Sequence, residues 1–476
     1  MKIRFGTDGW RGVIARDFTF ENVRRVAAAV ASYLEAEGLA GRGVAVGFDR
    51  RFLSGAFAEE AAGVLAARGI RVWVAPAPVP TPVVSWAVRH RGIGGGLMIT
   101  ASHNPPEWNG VKFKEHLGCA ARSATSAKIE AALARIEGPV DCIGPAEARR
   151  RGLWEPLEVW DAYREAVWGF VDREAIRRAG LTVVLDAMHG CAHPWLPMLL
   201  EEAGCEVEVL RAEENPGFGG VAPEPLEDRL GDLAGRVRAR GGALGLANDG
   251  DADRIGAVDE RGRYFSTQRI FALILHHLLE DRGLRGRVVR SASGTVMADL
   301  LARRRGLPVL ETPIGFKFIG EALLEPGTLI GGEESGGIGI PAFGPERDGL
   351  LNALLLAEIV ARRGRGLRAC LEDVFAETGY FAYDRVDLPL APERAGAVRE
   401  ALARWPDPPE LAGRAVVRVS RTDGLRFERD DDSWLLVRPS GTEPKLRLYA
   451  EARGRDEVAA LLEAGRHLVD DLPGAA

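Results

Sequence analysis

Asp249, Asp251 and Asp253 stand at alternate positions in Asp249-Gly-Asp-Ala-Asp-Arg254. In a tight loop that spacing points three carboxylates at one cation, and such hard oxygen ligands suit Mg²⁺ or Ca²⁺. Two unit charges about 4 Å apart interact by about 4 kcal/mol at an effective dielectric near 20, so the cluster repels itself unless a cation sits within it. The EF-hand alternative lacks the rest of its loop and its closing glutamate. A solvated hairpin turn is the competing reading. Arg254 adds a fixed positive charge suited to facing a phosphate.

Three further segments carry groups of the same kind. Ser102 lies in Ile99-Thr-Ala-Ser-His-Asn-Pro-Pro, between an apolar run and a Pro105-Pro106 break, with His103 and Lys112 placed to move protons. A lone serine is more often a solvated turn residue, and a structural role for His103 competes with a chemical one. Gly331-Gly-Glu-Glu-Ser-Gly-Gly337 presents Glu333, Glu334 and Ser335, the usual partners of sugar hydroxyls, on what reads as a flexible exposed loop. Taken alone, it reads as a surface turn. Arg438, Ser440, Gly441 and Thr442 in Arg438-Pro-Ser-Gly-Thr-Glu-Pro fit a phosphate nest after a strand. Neither a GxxxxGK[ST] loop nor a GxGxxG fingerprint after a first strand is present.

The elements that must position these groups alternate. Val23, Val26, Val30, Tyr33 and Leu34 recur at helical spacing after Thr19, a suitable N-cap. Val44–Phe48 reads as a strand, 56–67 as a helix and Arg71–Ala75 as the next strand, a βαβ rhythm that predicts a parallel or mixed sheet. Leu97-Met98-Ile99 ends another strand. The rhythm restarts at Leu181–Asp186 and again at Arg287–Ser291, followed by a helix over Val296–Arg304. Each unit ends in a polar, glycine-rich loop, which suggests three related units. Leu350–Ala361 reads as a buried helix. From about Thr378 short strands and a Trp405-Pro-Asp-Pro-Pro break predict a separate α+β domain, with strands at Ala415–Val419 and Trp434–Val437.

At 476 residues the chain predicts three or more domains, and 46% hydrophobic with 27% charged residues is a globular composition. A net charge of −6 and a pI of 5.9 argue against general nucleic-acid binding, although a local basic cleft stays open. Arginine greatly outnumbers lysine, in keeping with base composition or growth at high temperature. Five scattered cysteines without CxxC spacing read as reduced thiols in a cytoplasmic protein without a zinc site. No secretory leader and no membrane-spanning run is expected.

In order along nearly the whole chain, five segments resemble the α-D-phosphohexomutase superfamily, the phosphoglucomutases and phosphomannomutases. Phe5-Gly-Thr-Asp-Gly-Trp-Arg-Gly12 is similar to its N-terminal signature and Thr100–Pro105 to its phosphoserine loop. Asp249–Arg254 is similar to its metal loop, Gly332–Gly336 to its sugar loop and Arg438–Pro444 to its phosphate loop.

The resemblance implies an α/β fold of four domains around a central cleft, three related α/β domains with mixed sheets plus a C-terminal α+β domain. Their expected bounds are 1–156, 157–258, 259–375 and 378–476, with a hinge near 378. It implies Ser102 as the phosphorylated nucleophile, with Lys112, His103 and Arg11 as further catalytic groups. Mg²⁺ would be held by Ser102, Asp249, Asp251 and Asp253. Substrate would be bound by Arg254, Lys317, Glu333, Ser335, Arg347, Arg438, Ser440, Gly441 and Thr442. The implied reaction interconverts hexose 1-phosphate and hexose 6-phosphate through a hexose 1,6-bisphosphate that reorients in the cleft.

Gly337 stands where many dual-specificity and glucosamine-type members carry histidine. Thr312–Phe318 and Glu346–Gly349 look more like the glucose-type enzymes. Glucose phosphate is therefore the expected substrate, with a phosphomannomutase or dual-specificity enzyme as the alternative. A phosphoserine-dependent sugar phosphatase and a non-catalytic sugar-phosphate-binding protein are the remaining readings. The expected partner is a small sugar phosphate, with no nucleic acid or membrane, in a monomer or homodimer.

Overall fold

A computed structural model describes residues 3–6, 8–440 and 445–470. Its first sheet runs, in spatial order, Trp10–Val13, Trp108–Glu115, Gly95–Ile99, Val44–Phe48, Val72–Val74 and Trp154–Pro156. The last four strands are parallel, and Trp108–Glu115 lies antiparallel to Gly95–Ile99. The helix Phe20–Ala36 begins where expected, its Thr19 side chain accepting from the Asn22 N–H at 3.2 Å.

The second sheet is ordered Tyr264–Phe265, Ile255–Val258, Leu244–Asn248, Thr182–Asp186 and Glu206–Leu210. The third is ordered Val309–Thr312, Arg287–Ser291, Thr328–Gly332 and Ile338–Gly339. The three share one device. A parallel strand leaves the sheet and returns antiparallel beside itself: Gly95–Ile99 to Trp108–Glu115, Leu244–Asn248 to Ile255–Val258, Thr328–Gly332 to Ile338–Gly339. The three reversals are the segments that carry Ser102, the three aspartates and Glu333. Carboxyl ends of parallel strands are where open α/β sheets place ligand groups.

The helix Gly349–Arg363 buries Leu350, Leu351, Leu354, Leu355, Leu356 and Ile359, each burial stabilising by about 1.5–3 kcal/mol. Asp348 caps it by accepting from the Leu350 and Leu351 N–H groups, both at 3.0 Å. Among the described residues no helix is long and apolar enough to cross a membrane, and all five cysteines are free thiols.

The C-terminal domain is a separate sheet with all its pairings antiparallel, built from Ala382–Pro389, Lys445–Ala452, Trp434–Pro439, Leu425–Arg429, Arg414–Ser420 and Glu410–Leu411. Its helices are Ala395–Arg404 and Arg455–Asp470. It docks on the third domain through the buried Glu451. That carboxylate accepts from Thr295 Oγ1 at 2.6 Å, from the Val296 N–H at 2.7 Å and from Trp434 Nε1 at 2.8 Å. Val296 opens the helix Val296–Arg304, so the carboxylate also faces a helix N-terminus.

Candidate active site

Ser102 is fully buried and sits at φ 54°, a left-handed conformation that costs a non-glycine residue about 1–2 kcal/mol. Two contacts impose it. The Ser102 N–H donates to Thr100 Oγ1 at 2.8 Å, and Arg51 Nη2 donates to the Ser102 carbonyl at 2.6 Å. Three further donors on Nη1 and Nη2 of Arg51 reach the carbonyls of Asn104, Pro105 and Trp108 at 2.6, 2.8 and 3.0 Å. One buried guanidinium therefore staples the whole loop. Asp49 holds it at 3.2 Å and also accepts from Thr100 Oγ1 and Ser54 Oγ, each at 2.6 Å.

The geometry aims Ser102 Oγ at the second domain, where it donates to Asp249 Oδ2 at 2.7 Å. The two loops touch because Gly250 has no side chain: a Cβ there would meet the Ser102 carbonyl at 2.7 Å. Asp249, Asp251 and Asp253 are fully buried rather than solvated, and their ligand atoms lie within 4.8 Å of one another. Oδ1 of Asp251 and Oδ1 of Asp253 are buried without a hydrogen-bond partner. Two unpartnered anionic oxygens beside a third carboxylate fit a divalent cation. Burial, with the neighbouring Asp253 and Asp251, pushes the Asp249 carboxyl well above the usual range. A bound cation would relieve that repulsion.

Cations surround the cluster. Lys112 Nζ lies 2.7 Å from Asp251 Oδ2, 2.7 Å from Asp253 Oδ2 and 2.8 Å from Asp8 Oδ2. Burial favours its neutral form, but the three carboxylates outweigh burial and raise its pKa, so it stays a cation. Arg347 is buried in the structure. It pairs with Asp253 at 2.8 Å, with Asp8, and with Glu333 at 3.6 Å, so residues of three domains meet on it. Arg11 Nη1 donates to Asn104 Oδ1 at 2.6 Å, at the far end of the serine loop. Arg254 Nη1 pairs with Glu224 at 2.9 Å, and its Nε lies 3.9 Å from Asp249. His103 is half-buried, with Nδ1 3.4 Å from Ser102 Oγ. Burial, then Arg254, Arg11, Lys112 and Arg347, hold its pKa well below the usual histidine range.

The sugar-loop segment is not the exposed loop its glycines suggested. Gly331, Gly332, Gly336 and Gly337 are buried, Glu333 is 7% exposed, and Ser335 is half-buried. Glu333 accepts from the Gly315 N–H at 2.9 Å. Burial pushes its carboxyl up to about 7 against the pull of Arg347. Gly337 is where Arg347 passes, since a Cβ there would meet Arg347 Cδ at 2.7 Å. Lys317 lies in the first turn of the helix Phe316–Leu323 with its ammonium 4.9 Å from the Phe318 ring. In the C-terminal domain Arg438 pairs with Asp423 at 2.7 Å, and the Ser440 N–H donates to the Lys445 carbonyl at 2.8 Å. Gly441 and Thr442 lie outside the described residues. Arg385 of the same domain lies 3.7 Å from Glu334 and brings that domain to the sugar loop.

Sequence reasoning missed Asp8, Asp49, Arg51, Glu224 and Glu346. Asp49 and Arg51 follow the carboxyl end of the parallel strand Val44–Phe48, the positional signal that singled out Ser102. Asp8 sits inside the N-terminal signature beside Gly9. Nothing local marks Glu224, and Glu346, which pairs with Lys114 at 2.7 Å, stands in the Glu346–Gly349 segment that the resemblance singled out without giving it a role.

Residues 2–139, 161–262 and 266–378 match the families described as phosphoglucomutase/phosphomannomutase alpha/beta/alpha domains I, II and III, and residues 391–467 match the C-terminal domain of the same set. A phosphoglucomutase/phosphomannomutase of Thermococcus kodakarensis is 32% identical over 475 residues, covering 98% of each chain. A Methanothermobacter thermautotrophicus protein provisionally named a phosphoglucosamine mutase is 31% identical, covering 99% of this chain and 98% of its own. Among solved structures, a Thermus thermophilus protein provisionally named a phosphomannomutase superposes with a TM-score of 0.86 at 37% identity, covering 99% of both chains.

Proposed function

The chain belongs to the phosphoglucomutase/phosphomannomutase family, the α-D-phosphohexomutases, and from that premise we propose that phospho-Ser102 interconverts hexose 1-phosphate and hexose 6-phosphate through a hexose 1,6-bisphosphate, with glucose phosphate preferred. The observation that carries the reaction is Ser102 Oγ, 2.7 Å from Asp249 in a buried carboxylate triad walled by Lys112, Arg254 and Arg347.

Phosphoryl transfer needs positioning and charge neutralisation more than covalent help. A phosphoserine brings close to two negative charges. Mg²⁺ bound by Asp249, Asp251 and Asp253 together with that phosphoserine would neutralise charge on the transferring group. The sugar hydroxyl attacks phosphorus while the bond to Ser102 Oγ breaks. His103 takes the hydroxyl proton and passes it to the departing Ser102 Oγ, 3.4 Å from Nδ1. Lys112, gripped by three carboxylates, acts as a fixed cation rather than as the base. The bisphosphate then turns over, and its other phosphate returns to Ser102. Arg438, Ser440, Gly441 and Thr442 would hold whichever phosphate is not reacting. Glu333 and Ser335 would meet the sugar hydroxyls.

Glucose is favoured by Gly337. Arg347 fills the space next to it, so the loop offers a carboxylate and a hydroxyl with no imidazole. Mannose phosphate is the first competitor. Glucosamine phosphate is the second, because a relative carries that name and Glu333 would suit an ammonium. The test is kcat/KM for glucose, mannose and glucosamine 1-phosphates side by side, with Mg²⁺ and a trace of sugar 1,6-bisphosphate. A glucose preference supports the reading, and near-equal values or preference for another sugar overturn it. Stoichiometric release of free phosphate would make the protein a phosphatase instead.

A further inference from the structure

Asp8 belongs to none of the roles above, yet it is one corner of a closed charge square. Asp8 Oδ2 touches Lys112 Nζ at 2.8 Å and Arg347 Nη2. The same two nitrogens touch Asp253 Oδ2 at 2.7 and 2.8 Å. All four side chains are at least nine-tenths buried. Anion and cation alternate around the square, and its corners come from the N-terminal segment, the strand Trp108–Glu115, the metal loop and the turn before the helix Gly349–Arg363. Gly9 makes the approach, since a Cβ there would meet the Val111 carbonyl and Lys112 Cα.

An ammonium has three donors. Those of Lys112 are matched by three oxygens: Asp251 Oδ2, Asp253 Oδ2 and Asp8 Oδ2. Two of the three belong to the metal loop and one does not. Without the Asp8 charge, the ammonium is drawn onto the metal loop alone, where its positive charge opposes a second cation. With it, Lys112 is shared, and Oδ1 of Asp251 and Oδ1 of Asp253 stay unpartnered.

We propose that Asp8 is a positioning residue that acts through Lys112, sharing the ammonium's charge and keeping it on Oδ2 of Asp251 and Asp253, so that Oδ1 of both stays open to a divalent cation while Lys112 stays fixed beside the phosphoserine. This rests on the reading of Asp249, Asp251 and Asp253 as a metal site.

The experiment is a double-mutant cycle on Mg²⁺ affinity, measured by calorimetry on full-length Ser102-unphosphorylated protein for wild type, Asp8→Asn, Lys112→Met and the double variant. Asp8→Asn is expected to weaken Mg²⁺ binding by about tenfold or more, as loss of an outer-sphere partner does. In the Lys112→Met background the same change is expected to alter affinity by no more than about twofold. Turnover of Asp8→Asn at saturating Mg²⁺ is expected to show a lower kcat with KM for the sugar phosphate unchanged. Equal effects in both backgrounds would make Asp8 a plain through-space charge and overturn the proposal. So would unchanged affinity, or a lowered melting temperature with kcat intact. Wild type that takes up no Mg²⁺ would instead overturn the metal reading, and the proposal with it. Asp8→Ser is the second variant, judged by the same cycle. If neither variant folds, Asp8 is a structural residue and the proposal fails.

Discussion

Replacing Arg51 with alanine is expected to disable the enzyme without touching any reacting group. The side chain ties the carbonyls of Ser102, Asn104, Pro105 and Trp108 and neutralises the buried Asp49. Removing one partner of a buried ion pair costs about 3–5 kcal/mol. Here the lower end applies, for a reason visible in the site. Burial already pushes the Asp49 carboxyl up against the pull of Arg51, Ser54 and Thr100, so loss of Arg51 moves it further toward its neutral form, which softens the cost. That leaves the loop short by about 3 kcal/mol, spent on a Ser102 backbone that is left-handed and otherwise unfavourable. At about 1.4 kcal/mol per tenfold, kcat/KM should fall by about a hundredfold. Arg51→Lys keeps the charge but not the planar fork and should fall between the two. Hydrogen exchange read peptide by peptide is the direct assay, because a four-domain protein has no single unfolding free energy. Peptides over 100–110 should lose protection in Arg51→Ala while those over Thr182–Asp186 do not. Unchanged protection at 100–110, or kcat/KM within threefold of wild type, would refute the reasoning.

Chelation of Mg²⁺ should stop turnover and Mg²⁺ should restore it, whereas Asp251→Asn should not be rescued by any Mg²⁺ concentration that saturates wild type; activity surviving either treatment refutes the metal assignment. Glu333, held near 7 by burial, binds its proton more tightly folded than unfolded. The ligand-free protein should therefore lose stability as pH rises from about 4.5 to 7, and Glu333→Gln should raise the melting temperature at pH 8 but not at pH 4.5; equal shifts at the two pH values refute the burial argument. Gly337→Ala places a Cβ 2.7 Å from Arg347 Cδ, in a site that overpacking destabilises by about 1–3 kcal/mol. It should lower kcat/KM about tenfold or more and change the ratio between glucose and mannose phosphates, and wild-type values for both sugars would show that Arg347 does not need the space.

What could be read from the sequence was what is local. Asp249, Asp251 and Asp253 lie within one loop, and Ser102 sits between a strand end and a double proline, so spacing made them candidates and the family resemblance gave them roles. The strands Val44–Phe48 and Arg287–Ser291 and the helix Val296–Arg304 also follow from short-range pattern. The converging groups are nonlocal. Asp8 meets Arg347 across 339 positions, and Ser102 meets Asp249 across 147. No window of sequence reports such pairs. Burial was misjudged where composition is polar: glycines and carboxylates suggested an exposed turn at 331–337, while the structure seats that loop between Arg347, Gly315 and the C-terminal domain. The burial of Arg347 is hidden for the same reason, since a charged side chain buried against three carboxylates looks in sequence like any other.

The most direct test of the central claim is transfer of phosphate onto Ser102. Wild-type protein first stripped of phosphate should be incubated with ³²P-labelled glucose 1,6-bisphosphate and Mg²⁺, then analysed by peptide mapping, beside Ser102→Ala. Label is expected on the peptide containing Ser102, with its return to glucose 1-phosphate or glucose 6-phosphate as bisphosphate when either is added, and no label in Ser102→Ala. Label on another residue, or turnover by Ser102→Ala without any labelled enzyme, would contradict it.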